Sequence, residues 1–186
     1  MSVPRIALSG SAGTGKTTLA SRLAAELGVP YIEEGMRRRI QGGLAWYELD
    51  REQQLGLIEE LWEEQRAAED AATGGFVADR SSYDFAAFWL HYDFHADLRD
   101  TSDRFEHWCA SGERYDRVLL LPWGVLPLEA DGVRSTNRYM QLRYQGILEA
   151  VLEHHAREGL VHRIPRTDDL ARRLAAALDA LGDGRT

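Results

Sequence analysis

The sequence predicts an α/β domain in which a five-stranded parallel sheet is covered by helices on both faces, a three-layer sandwich. Three observations carry this. Five short β-branched or leucine-rich runs each lead into a stretch of helical periodicity, a glycine-rich octapeptide joins the first run to the first helix, and no linker or internal repeat interrupts the alternation. At 186 residues and 44% hydrophobic, the chain can bury its core as one domain, assigned to residues 1–182 with a loose tail at 183–186.

The elements follow in order. Arg5-Ile-Ala-Leu-Ser9 reads as a buried strand, and after Lys16 the positions Leu19, Ala20, Leu23, Ala24 and Leu27 keep helical spacing until Gly28 and Pro30 stop the helix. Pro30–Glu34 is the second strand and Gly75–Arg80 the third. Between them, a helix from about Glu52 to Ala72 carries Leu55, Ile58, Leu61, Trp62 and Gln65 on one stripe, leaving Glu59, Glu60, Glu63 and Glu64 to a solvated face. Arg117–Pro122 and Val161–Pro165 are the fourth and fifth strands. A last helix through Leu170, Leu174, Leu178 and Leu181 stops at Gly182. The expected strand order is 2-3-1-4-5.

Gly10-Ser11-Ala12-Gly13-Thr14-Gly15-Lys16-Thr17, followed by Thr18, spells G-x-x-x-x-G-K-[ST], the phosphate-binding P-loop. Strand, glycine turn and helix together aim backbone N–H groups and a helix N-terminus at an anion. Lys16 is the only lysine among 22 basic residues. A compact ammonium fits between phosphate oxygens in a tight cradle where a planar guanidinium needs more room. Thr17 offers a hydroxyl to Mg²⁺. The fold class is therefore a P-loop NTPase.

Composition narrows the ligands. A formal net charge of −8 and a pI near 5.3 argue against general nucleic-acid or membrane-surface binding, which call for basic patches. The expected ligands are ATP and a small-molecule acceptor, with no nucleic acid and no membrane, in a monomer or homodimer. No run approaches the length of a membrane span and Met1–Arg5 leads into the first strand without a signal-peptide core, so the expected location is cytoplasmic. Cys109 is the single cysteine and reads as a packed helical thiol.

In a parallel sheet, ligands bind at the carboxyl ends of strands. The first strand ends in the P-loop, the second in Glu33-Glu34 and the third in Asp79-Arg80-Ser81, so the three converge on one crevice. Asp79 follows an apolar strand as a Walker B acid does and is a candidate Mg²⁺ ligand with Thr17. Its alternative is to cap the next helix, a role that Ser81 or Ser82 could fill instead. His91 and His95, at i and i+4, lack a third ligand of defined spacing and read as helix surface.

Phe76-Val-Ala-Asp-Arg-Ser-Ser-Tyr-Asp84 resembles the acid-Arg-Ser segment of deoxynucleoside kinases. The P-loop, Tyr31-Ile-Glu-Glu-Gly-Met-Arg37, Asp79 with its aromatic helix, and Tyr115–Leu121 leading to Glu129–Arg134 resemble the nicotinamide riboside kinase domain of bacterial NAD-biosynthesis regulators and similar small P-loop ATPases. The resemblance implies a nucleoside- or nucleotide-kinase-like fold and transfer of the γ-phosphoryl group from Mg-ATP to an acceptor hydroxyl, most simply on a nucleoside-like metabolite. It also implies a carboxylate at the end of strand two that takes the hydroxyl proton. Strand alternation lets only one of Glu33 and Glu34 face the crevice; Tyr31 and Glu33 share a face, so Glu33 is expected. Capping of the Gly35–Ile40 helix is the alternative.

Transfer needs cations beyond Lys16. Arg80 resembles the kinase arginine that contacts phosphate or acceptor. A lid at about 127–138 would present Arg134 and Arg138 on one side, with Arg143 a further candidate. Arg37, Arg38 and Arg39 form a cluster that either recognises an anionic acceptor or lines a solvated face. Arg166, in Ile164-Pro-Arg-Thr167, occupies the usual position of an adenine-contacting loop, and the absence of N-K-x-D favours ATP over GTP. The competing function is a regulatory NTPase switch acting on a protein partner. A kinase predicts an enclosed pocket between Glu33, Arg80 and the helix from Glu52, whereas a switch predicts an open site.

Overall fold

The computed structural model describes residues 4–98, 101–127 and 137–182. Strands β1 (Arg5–Ser9), β2 (Tyr31–Ile32), β3 (Phe76–Asp79), β4 (Arg117–Leu120) and β5 (Val161–Arg163) pair in parallel in the order β2-β3-β1-β4-β5, as expected. The helices are α1 (Lys16–Leu27), α2 (Gly35–Gln41), α3 (Arg51–Ala71), α4 (Ser82–His91), α5 (Phe94–Asp97), α6 (Ser102–Ser111), α7 (Arg138–His155) and α8 (Leu170–Gly182).

Side-chain alternation along the strands splits the core in two. Ile6, Leu8, Val77 and Leu119 turn toward Leu19, Leu23 and Ala177 of α1 and α8. Ala7, Ala78, Val118 and Leu120 turn to the other face, where Trp62, Phe85, Trp108 and Leu148 of α3, α4, α6 and α7 cover them. With both faces buried, the strands read as continuous apolar runs. The α3 stripe of Leu55, Ile58, Leu61, Trp62 and Gln65 is buried as its spacing predicts, and Asp50 caps that helix by accepting from the Gln53 N–H at 2.8 Å. Cys109 is buried on α6, and burial raises its thiol pKa to about 12.

One boundary departs from expectation. The second strand does not reach Glu34: it ends at Ile32, and Glu34 is already the N-cap of α2. The alternation that assigned Glu33 to the crevice therefore stops one residue too early to apply. The lid expected at 127–138 lies largely outside the described residues, as do Arg134 and the tail 183–186.

Candidate functional site

β1 lies at the centre of the sheet, between β3 and β4, so the loop after it opens where the connections run to opposite sides. That loop is the P-loop. Gly10 and Gly15 have φ of 148° and 85°, and a Cβ on Gly10 would sit 3.2 Å from the Leu121 carbonyl oxygen. Only glycine follows this path without strain. Lys16, 7% exposed, donates to the Ser11 carbonyl at 2.9 Å, folded back across the cradle. Burial, and then the positive charge of Arg80, push its pKa down to about 8 against the attraction of Asp79, Asp84 and Glu34.

Two distant side chains brace the cradle, and neither was legible in the sequence. Gln145 of α7 accepts from the Ser11 N–H at 2.9 Å and donates to Leu121 O and Glu149. Arg173 of α8, 2% exposed, donates through Nη1 to Thr14 O at 2.7 Å and through Nε to Thr167 O at 2.5 Å, joining the P-loop to the loop after β5. No carboxylate among the described residues forms an ion pair with it. Arg166, the expected adenine contact in that loop, is exposed.

At the end of β3, Asp79 is 2% exposed. Its Oδ2 accepts from the Thr17 hydroxyl at 2.5 Å and from the Tyr31 hydroxyl at 3.4 Å, while Oδ1 is buried with no hydrogen-bond partner. A buried carboxylate oxygen without a partner is costly unless a cation or water meets it. A hydroxyl and an acid oxygen side by side at the P-loop therefore fit Mg²⁺. The capping role goes to Ser81, the N-cap of α4. No cluster of three or more His, Cys, Asp or Glu capable of holding a metal occurs among the described residues.

Arg80 is the hub of the crevice. Its Nε donates to Glu34 Oε1 at 2.7 Å, its Nη1 donates to Asp84 Oδ1 at 3.1 Å, and its guanidinium lies 4.8 Å from the Phe88 ring centroid. Fully buried Asp84 also accepts from the Ser9 hydroxyl at 2.6 Å and the Tyr144 hydroxyl at 2.9 Å. Neither Asp84 nor Tyr144 was assigned from sequence; only the i+4 spacing of Arg80 and Asp84 signals the former. Glu33 is exposed and faces Arg38 at 4.0 Å, so Glu34 is the carboxylate turned into the crevice. A small cavity of about 10 Å³ lies between Glu34, Met36, Ile58, Leu61, Arg80 and Phe88. A cleft of about 480 Å³, bordered by Tyr31, Glu33, Arg38, Glu64 and Ala68, adjoins it across Gly35 and Leu61.

The remaining cations sit elsewhere. Arg138 opens α7, exposed, 6.0 Å from the Trp123 ring centroid. Arg143 pairs with Asp93 at 2.7 Å on the surface, and Arg39 pairs with Glu64 and Glu60. His91 is buried edge-on to Tyr144 rather than on a helix surface. Trp46, Trp62, Tyr83 and Trp89 are buried in the core, while Phe88 lines the small cavity beside Arg80.

No curated protein sequence matches the chain. Among solved structures, it superposes on a NadR protein in complex with NR, with a TM-score of 0.68, 22% identity, and coverage of 97% of this chain and 51% of that one. It superposes equally on deoxyadenosine kinase from M. mycoides, with a TM-score of 0.68, 13% identity and coverage of 97% and 100%. Thymidylate kinase from Candida albicans gives 0.63, 15%, 99% and 93%. The chain thus spans about half the length of the NadR protein and the whole of the deoxyadenosine kinase. These likenesses are of fold, and the fold is that of the P-loop nucleoside and nucleotide kinases. Residues 5–173 match the AAA_28 family model, an AAA domain, from the first residue of β1 to the arginine that braces the P-loop, and the chain belongs to that family.

Proposed function

We propose that this chain transfers the γ-phosphoryl group of ATP to a hydroxyl of a small, nucleoside-like acceptor. The observation that carries the reading is the Glu34–Arg80 ion pair at the strand ends beside the P-loop, on a void of about 10 Å³ against α3 that adjoins the cleft of about 480 Å³. A carboxylate and a guanidinium at the end of a P-loop crevice suit a proton acceptor and a stabiliser of phosphoryl charge. An open switch site would need neither. Relatives of the same fold include proteins described as bound to NR and as deoxyadenosine and thymidylate kinases, which favours a nucleoside-like acceptor.

In this mechanism the acceptor oxygen attacks the γ-phosphorus, the bond to the β–γ bridging oxygen breaks, and ADP leaves. The hydroxyl proton passes to the Glu34 carboxylate. Lys16 swings from Ser11 O to the phosphate oxygens, and Arg80 faces the charge that develops on the transferring group. Arg134 and Arg138 are the lid cations of this proposal. Mg²⁺, when bound, would be held by Thr17 and Asp79 and would neutralise phosphate charge. Arg173 holds the loop after β5 against the P-loop on the nucleoside side, where Arg166 remains a candidate adenine contact.

The test is incubation with Mg-ATP and pools of nucleosides, sugars and aminoalcohols, scoring ADP release and acceptor mass. A gain of one phosphoryl mass on a nucleoside is the expected result. Tight ATP binding with no acceptor gaining mass would sink the proposal in favour of a nucleotide switch.

A further inference from the structure

Among the described residues, only Arg80 and Asp93 are non-glycine residues with positive φ. Asp93, at 57°, lies in the left-handed basin that aspartate tolerates. Arg80, at 123°, lies far beyond it, where a side chain crowds its own backbone. Such a conformation persists only where the surroundings over-determine it.

The surroundings do so through three consecutive backbone groups. The Arg80 carbonyl accepts from Gln65 Nε2 at 2.9 Å, the Ser81 N–H donates to Asp84 Oδ2 at 3.1 Å, and the Ser82 N–H donates to the Tyr115 hydroxyl at 3.1 Å. The three side chains come from α3, from α4 and from the segment leading into β4. Gln65 and Tyr115 are joined in turn, since both donate to Glu69 Oε1, at 2.8 and 3.0 Å, while Arg114 donates to Glu69 Oε2 at 2.8 Å. Gln65, Glu69 and Tyr115 are all buried. Both hydrogens of the Gln65 amide are thereby committed, one to Glu69 and one to the Arg80 carbonyl, so the amide has no freedom to turn.

We propose that Gln65 is a positioning residue for Arg80: from α3 it holds the Arg80 backbone at positive φ, which aims the guanidinium at Glu34 and Asp84, with Tyr115 as the second arm of the same clamp. The inference rests on the reading of Arg80 as the acceptor-site cation. Its geometric half stands without that reading. A relaxed Arg80 turns its side chain away from Glu34, and displacements of this kind at a reacting centre cost roughly 100-fold in rate.

The test combines crystal structures with kinetics for Gln65→Leu and for Tyr115→Phe, which removes only a hydroxyl. In Gln65→Leu, the Arg80 φ is expected to become negative and the guanidinium to leave Glu34. Turnover of ATP with nicotinamide riboside or deoxyadenosine is expected to fall about 10- to 100-fold, with the calorimetric Kd for ATP unchanged within about twofold. Tyr115→Phe should move both readouts the same way by less. Arg80→Gly should melt a few degrees above Arg80→Ala, because glycine alone accepts this φ. The proposal is overturned if Arg80 keeps its φ and its Glu34 contact in both variants, if kcat is retained despite the shift, or if Arg80→Ala melts at or above Arg80→Gly. Should the unaltered chain phosphorylate neither acceptor, the phosphotransfer reading is at fault, and the Arg80 backbone in the variants still decides the clamp.

Discussion

Glu34 Oε1 accepts from Arg80 Nε at 2.7 Å across 46 residues of sequence, while Glu33, its immediate neighbour, faces solvent. Adjacent glutamates thus have unequal chemistry. Glu34→Gln should lower phosphoryl transfer by roughly 100-fold or more and leave the Kd for ATP within about twofold, as loss of a general base does. Glu33→Gln should leave transfer nearly unchanged. Steady-state kinetics of the two variants reverse the assignment if Glu33 proves the sensitive one.

Lys16 makes the site sensitive to pH in two opposed ways. Its folded pKa of about 8 lies below the ordinary 10.5, so between those values the unfolded chain binds more protons and the ligand-free fold gains stability as pH rises. ATP needs the ammonium, so above pH 8 binding takes up a proton and affinity falls by about tenfold per unit, while below 8 it is flat. Calorimetry in buffers of different ionisation enthalpy reads the proton uptake. Lys16→Arg should abolish both trends.

Asp79→Asn retains an acceptor for the Thr17 hydroxyl but removes the negative charge of the carboxylate whose Oδ1 is unpartnered. The Kd for ATP should weaken by about 10-fold or more in Mg²⁺ and stay nearly constant in EDTA, in line with the loss of a metal-site carboxylate. Equal weakening under both conditions would make Asp79 a structural acid.

Arg173 bonds two carbonyls that belong to different loops, Thr14 O and Thr167 O. Hydrogen bonds from a charged donor are worth about 1.5–3 kcal/mol each, so Arg173→Met should lower the melting temperature and weaken ATP binding by about 10-fold or more. Lysine should not restore it, because a point charge cannot span both oxygens as the guanidinium fork does. Arg172→Ala, which alters the exposed arginine next to it on α8, serves as the comparison, with binding within about twofold of the unaltered chain.

The sequence by itself determined the P-loop, the parallel sheet in its order, and the meeting of Lys16, Asp79 and Arg80 at one edge. These are local matters: a glycine spelling sets a backbone path, and apolar periodicity sets each element, so contiguous residues suffice. That Glu34, and not Glu33, faces the crevice follows from where β2 ends, since alternation holds only while a strand lasts and this one stops at Ile32. Only the tertiary structure could supply Gln145 at Ser11, 134 residues away, or Arg173 at Thr14, 159 residues away. The same is true of the Gln65 contact that holds the Arg80 backbone. Each of those side chains sits on a helix whose spacing reveals a buried face but not its partner, because the partner is chosen by how the helix docks on the sheet.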